Sequence, residues 1–392
     1  MKLAWFRPDT PPLLSSLDEN TALLAELSST HEIELFTAAN AHRFAEQHTR
    51  TPYDLFVYEL EDTPAHSFIW PYLLHYGGVL HLRSLTLHLS RAATLLGAQR
   101  GKDYATEFRF NHGAWPELPR AAPPAYPGDW PMLRIPVLAA QVVVVSQPST
   151  VDELKRAHPE VLVRHARTGI GANPNTHDDK RKVPATPENP GTLVKFGCLS
   201  GHRLEVVRRA MARAQHAGAF AELMTDLSPE RLLQHADVIV SLPWPSRGES
   251  QTPALAAMAA GKPAIVFESA ASAEWPVLDP QTWQLRSHGT DTPISVSIDP
   301  RDEEHSLVLA IRRLSAEPAL RAKLGRAAHN WWRTHATPEL AANDWHRILK
   351  EAVHLPAPSR PADWPAHLTA DVTMRELEVL HAQKSTDDVL LP

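Results

Sequence analysis

The run AAQVVVVS at residues 139–146 narrows the choice of fold more than any other stretch of this chain. Four valines in succession break the in–out alternation of a strand that faces water on one side. They suit a strand covered on both faces, which requires helices above and below a parallel sheet. The neighbouring sequence supplies those layers. KLAWF (2–6), EIELF (32–36), YDLFVYEL (53–60), GVLHL (78–82) and VLVRHA (161–166) read as further strands. Between them, LDENTALLAELSSTH (17–31), AHSFIWPYLLHYG (65–77) and TVDELKRAHP (150–159) carry helical apolar spacing, the last with a serine or threonine ahead of it as N-cap. Strands alternating with helices predict a doubly wound α/β domain over residues 1–170, interrupted by a Pro-rich loop at 117–131.

Residues 171–191, GANPNTHDDKRKVPATPENPG, have a linker's composition, and the acidic pair in them reads as solvated. A second α/β domain is expected over 192–350. TLVKFGCLS, DVIVSL and PAIVF are its strands, RLEVVRRAMARAQHAG and SPERLLQHA its helices, and 302–355 a set of amphipathic helices. Residues 351–392 form a tail, Pro-rich and then briefly helical.

Composition excludes several classes. A net charge of −6 with no long Lys/Arg run argues against a nucleic-acid partner. The single cysteine, Cys198, rules out a disulfide framework and fits a reducing compartment. The opening MKLAWF lacks the apolar core of a signal peptide, and no apolar run is long enough to span a bilayer. A cytoplasmic protein is expected, at most peripheral at the inner membrane face. His75, His81 and His88 have no carboxylate or cysteine partner at metal spacing, so no metal site is expected. TGIGANP at 168–174 lacks a third glycine and a following helix, which removes the dehydrogenase reading; no Gly-x-Ser-x-Gly elbow occurs.

The segment 245–267, PSRGESQTPALAAMAAGKPAIVF, carries the chemistry. Thr252 is placed as an N-cap, Pro253 fits the first helical position, and Gly261 the left-handed residue after the helix. The helix expected over 253–260 is built of small residues, so it lies close to its neighbours. Its N-terminus offers unpaired N–H groups and partial positive charge, which suit an anion. Glu249 on the turn ahead of it is positioned to accept from sugar or ribose hydroxyls. The plainer alternative is that Glu249, Ser250 and Thr252 only cap a surface helix.

Residues 236–276, ADVIVSLPWPSRGESQTPALAAMAAGKPAIVFESAASAEWP, resemble the donor-site region of family 4 glycosyltransferases of the GT-B fold, in the bacterial branch with a Gly-Glu-Thr-Ser turn. The resemblance extends to MKLAWFRPDTPP, to 53–89, to DYATEFRFNHG, to 142–171 and to EPALRAKLGRAAHNWW, and spans about residues 1–350. It implies two Rossmann-like domains facing each other and retaining transfer of a sugar, hexosyltransferase-type, from a nucleotide sugar to an acceptor hydroxyl. It implies no cofactor and no metal. The implied partners are the nucleotide sugar, a glycan or lipid-linked acceptor in surface polysaccharide or glycoconjugate synthesis, and a partner glycosyltransferase. Glu249 and Arg83 are the implied catalytic residues. Ser250, Thr252, His202, Arg203 and Glu274 fall on the donor side, and His88 on the acceptor side. The chain departs from the family pattern at four places. Where the family has a further strand, turn and helix, only QHAGAFAELMTD lies between RLEVVRRAMARA and LSPERLLQHADVIVSL, so against that pattern the second domain is shortened. The first loop, RPDTPPLLSSLDEN, has no glycine; Arg83 and Ser84 stand where a His-Asp pair is usual; His202 stands where a lysine grips the diphosphate. These departures imply an alternative, a catalytically silent relative that binds a partner.

Overall fold

The computed structural model describes residues 1–9, 19–113, 130–172, 192–198, 203–244, 248, 251–286, 292–369 and 377. Its first half holds strands β1 (Lys2–Phe6), β2 (Glu32–Phe36), β3 (Leu55–Leu60), β4 (Val79–Leu82), β5 (Val142–Val145) and β6 (Val163–His165). All five pairings are parallel, in the order β2-β1-β3-β4-β5-β6. The valine run is β5, fully buried between β4 and β6. The connecting helices are α1 (Glu19–Leu27), α2 (Phe44–Arg50), α3 (Ile69–Tyr76), α4 (His88–Gly97), α5 (Gly101–His112), α6 (Arg134–Ala139) and α7 (Pro148–Ala157). The cap of α7 differs from expectation. Gln147 takes the N-cap place, because Pro148 already fits the first helical position.

The second half holds β7 (Val194–Cys198), α8 (Leu204–His216), β8 (Ala221–Met224), α9 (Pro229–His235), β9 (Val238–Ser241), α10 (Thr252–Ala259), β10 (Ala264–Phe267), β11 (Val277–Leu278) and β12 (Ser295–Ile298). The sheet is parallel in the order β11-β12-β10-β9-β7-β8. The stretch between α8 and α9, which sequence reads as a gap between helices, supplies the edge strand β8. This sheet therefore has six strands, like the first. Ser228 caps α9 as expected, accepting from the Arg231 amide.

Three long helices follow: α11 (Glu303–Ala316), α12 (Pro318–His335) and α13 (Pro338–Ala352). Helix α12 lies against the small-residue helix α10. A methyl on Gly325 would sit 2.2 Å from the Gly261 carbonyl oxygen, so the two backbones touch. Helix α13 follows the second sheet in sequence yet covers the first. Its Ala341, Trp345, Ile348 and Leu349 are buried with Leu3, Trp5 and Val142. The Trp345 and Trp5 rings lie 5.1 Å apart, and Arg167 forks onto the buried Asp344 at 2.6 and 2.9 Å. Beyond α13, Arg360 donates to the carbonyls of Leu74 and Leu138, and Leu368 enters the core on the other face of that sheet. The chain's later residues thus strap its first domain.

Two expected outcomes follow from this packing. Trp345→Ala should lower unfolding free energy by about 3–5 kcal/mol, read by urea denaturation, because a fully buried indole leaves a cavity. A loss under about 1 kcal/mol would show that α13 does not hold the first sheet. Acid should also destabilise the protein. Burial pulls the imidazoles of His66 and His112 down to about 4. Burial, and then the neighbouring His346, also lower His31, which meets His346 at 2.9 Å. The unfolded chain takes these protons near the ordinary value of 6.5, and the folded chain only further down. Their contribution is complete above that value and falls away as pH drops towards 4. The melting temperature should fall across that interval, and His66→Gln should flatten part of the slope. A flat melting profile between those values would contradict this assignment.

Candidate functional site

Ligands of open α/β sheets gather beyond the carboxyl ends of the strands, where the strand order reverses. In the first sheet that place is the end of β1 and β3, and three basic residues collect around it. Arg7 follows β1, His66 follows β3 and Arg83 follows β4. His66 is buried, and its Nδ1 lies 2.8 Å from the Thr63 hydroxyl. Burial pulls its pKa down to about 4, and the charges of Arg83 and Arg7 push the same way. His66 is therefore neutral at physiological pH.

Arg83 faces two carboxylates, Glu61 at 3.6 Å and Glu59 at 3.9 Å. Glu59 is itself buried and accepts from the Trp5 indole and from Asn20 at 2.7 Å. A chain of polar contacts thus runs from the Trp5–Trp345 junction to Arg83. A buried carboxylate near the carboxyl end of strand β3 needs those partners, since an unpaired charge there costs several kcal/mol.

In the second sheet the corresponding ends are those of β7, β9 and β10. Helix α10 begins one residue earlier than the spacing predicts. Gln251 occupies the N-cap position and Thr252 the first turn, half-buried. Thr252 is therefore not the cap; Pro253 tolerates the second position as well as the first, because both amides lack a helical partner. Gly261 has φ +67°, the left-handed residue expected after the helix. Gln251 is 3% exposed, and both its amide atoms lack a hydrogen-bond partner among the described residues. Ser241, the last residue of β9, is fully buried with its hydroxyl likewise unpartnered. Unsatisfied buried polar atoms cost about 1–3 kcal/mol each, so the Gln251 amide at this helix N-terminus marks a place suited to polar contact.

Arg203 precedes α8 with φ +62° and pairs with Glu303 at 3.2 Å. Left-handed backbone at a non-glycine residue is strained, and such strain concentrates at functional sites. Glu274 is exposed on a turn after β10. It lies near His165 at the end of β6, whose pKa burial pulls down against the charges of Asp344 and Glu274. Glu249, Ser250 and His202 lie outside the described residues.

The carboxyl ends of the two sheets meet. Gly248 adopts φ +91°, and a methyl on it would lie 2.8 Å from Leu85 Cγ, two residues beyond Arg83. Arg83 and Arg203 each hold a carboxylate within their own half, so the charges that would form a clamp are partly neutralised. His88, expected on the acceptor side, is fully buried at the start of α4. Its Nδ1–H donates to the Trp130 carbonyl at 2.7 Å, which leaves Nε2 to accept from the Tyr104 hydroxyl at 2.8 Å. One nitrogen ties α4 to α5 and the other ties it to Trp130 ahead of α6, and the ring does not open onto the cleft.

Sequence reasoning missed His66, Ser241, Gln251 and Trp244. The last is 42% exposed just beyond β9 and stands edge-on to Phe267. Its only signal in the sequence is an aromatic residue directly after an apolar strand. Among the described residues no group of three or more His, Cys, Asp or Glu is placed to hold a metal ion, and no helix is long and apolar enough to cross a membrane.

No protein-family model matches the sequence, and no curated protein shows significant similarity to it. Solved structures do match. A sucrose-phosphate synthase from Thermosynechococcus elongatus superposes with TM-score 0.56 at 13% identity, over 89% of this chain and 98% of that one. HepE from Anabaena, in complex with UDP and glucose, gives TM-score 0.51 at 12% identity, over 90% of this chain and 100% of that one. The same protein with UDP-glucose gives 0.50 at 13% identity. At such identities the likeness establishes architecture: the chain has the GT-B fold, two Rossmann-like α/β domains with a helical C-terminal part.

Gly248→Ala tests the cleft contact. Forcing a side chain into the left-handed region against Leu85 should cost about 1–2 kcal/mol of stability in urea melts. Leu85→Ala in the same chain should recover part of that loss relative to Leu85→Ala alone. Strict additivity of the two substitutions would mean that Leu85 does not confine this turn.

Proposed function

We propose that this protein is a family 4-type glycosyltransferase that moves a sugar from a nucleotide-sugar donor to an acceptor hydroxyl, with retention and without a bound metal. The observation that carries the reading is the N-terminus of α10. It lies at the carboxyl end of the second sheet, with the unpartnered amide of Gln251 as its cap and the first domain's Leu85–Arg83 loop across the cleft. The HepE structures, one with UDP and glucose and one with UDP-glucose, share this fold and support a nucleoside diphosphate as the ligand.

In this reading the diphosphate rests on the first amides of α10, where N–H dipoles meet developing negative charge. Arg203 and Arg83 supply positive charge after exchanging their carboxylate partners for phosphate. Glu249, Ser250 and Thr252 take the ribose and phosphate oxygens, His202 flanks the diphosphate, and Glu274 closes the donor side. The C1–O bond of the donor breaks with its electron pair going to the diphosphate. The acceptor oxygen joins C1 on the same face, and its proton leaves to a phosphate oxygen. Surface polysaccharide or glycoconjugate synthesis is the setting we favour, with a glycan or lipid-linked acceptor and a hexosyl donor.

The pairing of Arg83 with Glu59 and Glu61, and of Arg203 with Glu303, favours a second reading. In it the fold is kept but the cations are spent internally, and the protein serves as a silent partner of another transferase. Calorimetric titration with UDP, GDP, dTDP and their sugars separates the two. A working donor site should bind one nucleotide at micromolar Kd, weakened at least about tenfold by Glu249→Ala or Arg203→Ala. No heat with any nucleotide, from protein that melts cooperatively, would reject the transferase reading in favour of the silent one.

A further inference from the structure

A cavity of about 610 Å³ opens at the opposite end of the second sheet. It lies where β7 and β8 begin, between the last turns of α8 and α11 and the first turns of α12. Helix α11 spans the distance to the cleft. Its first residue, Glu303, pairs with Arg203, and Ser315 at the other end lines the cavity, about 18 Å further along the axis. Nothing in the proposed transfer reaction uses this place.

Its lining combines aromatic surface with unspent positive charge. Phe220 is 57% exposed, more than any other large hydrophobic side chain among the described residues. Trp283 sits in the turn between Leu278 and Leu285, closed by the Asp279 amide on the Gln284 carbonyl at 3.0 Å. Its φ is +58°, a conformation that glycine or asparagine adopts freely and an aromatic residue does not. The strained placement sets the indole against the cavity, with the Arg313 guanidinium 4.4 Å from its ring centre.

Among the described residues, three arginines line the same space and no acidic residue does. Arg321 is committed to the carbonyls of Leu314 and Ser315. Arg313 gives its Nε to Glu317 and keeps its terminal nitrogens. Arg312 makes no hydrogen bond or ion pair with a described residue. The volume is that of a small-molecule pocket. A purely apolar occupant would strip water from guanidinium groups without replacing it. A bare inorganic anion would leave Phe220 in water and most of the cavity unfilled.

We propose that this cavity is a second binding site, for a small ring compound bearing a phosphate or carboxylate. The oxyanion lies between Arg312 and Arg313, and the ring rests on Phe220 and Trp283. Forked guanidinium donors suit either oxyanion, and stacked Arg–Trp surface suits a flat ring.

The test is calorimetry on the full chain with 1-naphthyl phosphate and 2-naphthoate as probes, beside 2-naphthol and inorganic phosphate. One of the two anionic probes should bind once per chain with Kd below about 1 mM. The probe lacking the charge and the probe lacking the ring should each bind at least about tenfold more weakly. Replacing Arg312 by Ala together with Arg313 by Gln should weaken binding by the same factor, and so should Trp283→Asn, which fits the left-handed turn. Phe220→Ser, at an exposed position, takes its place if that variant melts non-cooperatively. Which anionic probe binds distinguishes the phosphate from the carboxylate source. The proposal is overturned if neither binds to folded protein, if 2-naphthol binds as tightly as the anions, or if the variants bind unchanged. Donor nucleotides play no part in this readout, so the result is independent of the transferase assignment.

Discussion

The packing of Trp345 onto Trp5 is the interaction on which the arrangement of this molecule rests. The last long helix leaves the second sheet and buries its apolar stripe on the first, so that neither face of the first sheet is complete without the end of the chain. One consequence is energetic. The α13 stripe and the Arg167–Asp344 fork couple the stability of the two halves. Another is geometric. With α13 fixed on the first sheet, the carboxyl ends of both sheets are brought to one cleft, where Gly248 meets Leu85.

That cleft holds several departures from local rules. Glu59 is a buried carboxylate, Arg203 and Gly248 have positive φ, and Gln251 and Ser241 are polar side chains without partners. Such departures from local consistency are where function is usually housed. The distal cavity shows a similar signature on a smaller scale, a strained tryptophan beside Arg312, which has no partner among the described residues, and for that reason it stands out from ordinary surface.

Much of the fold was legible from the order of the residues. Valines in succession, strands alternating with helices, and Gly261 after a run of alanines all report local requirements that do not depend on distant partners. Strand β8 was not legible, because AELM is short, half-polar and at an edge, where alternation is weak. Helices α4 and α5 escaped a periodicity reading because α4 buries Ser90 and Arg91, and α5 buries Glu107, through polar contacts. Arg91 and His367 both reach Glu107, and no local pattern announces a partner 260 residues away.

The amino-acid sequence by itself determined the class of fold, the presence of two parallel sheets and the location of a thin helix with an anion-friendly N-terminus. Periodicity and helix-end chemistry act over a few residues, so they can be read along the chain. Tertiary structure alone decided what each polar side chain faces. It took His88 out of the cleft by giving both its nitrogens partners, moved the cap of α10 from Thr252 to Gln251, and set Arg83 and Arg203 against carboxylates. Those outcomes depend on contacts across tens or hundreds of residues. Burial and charge pairing are properties of the assembled neighbourhood, not of any segment within it.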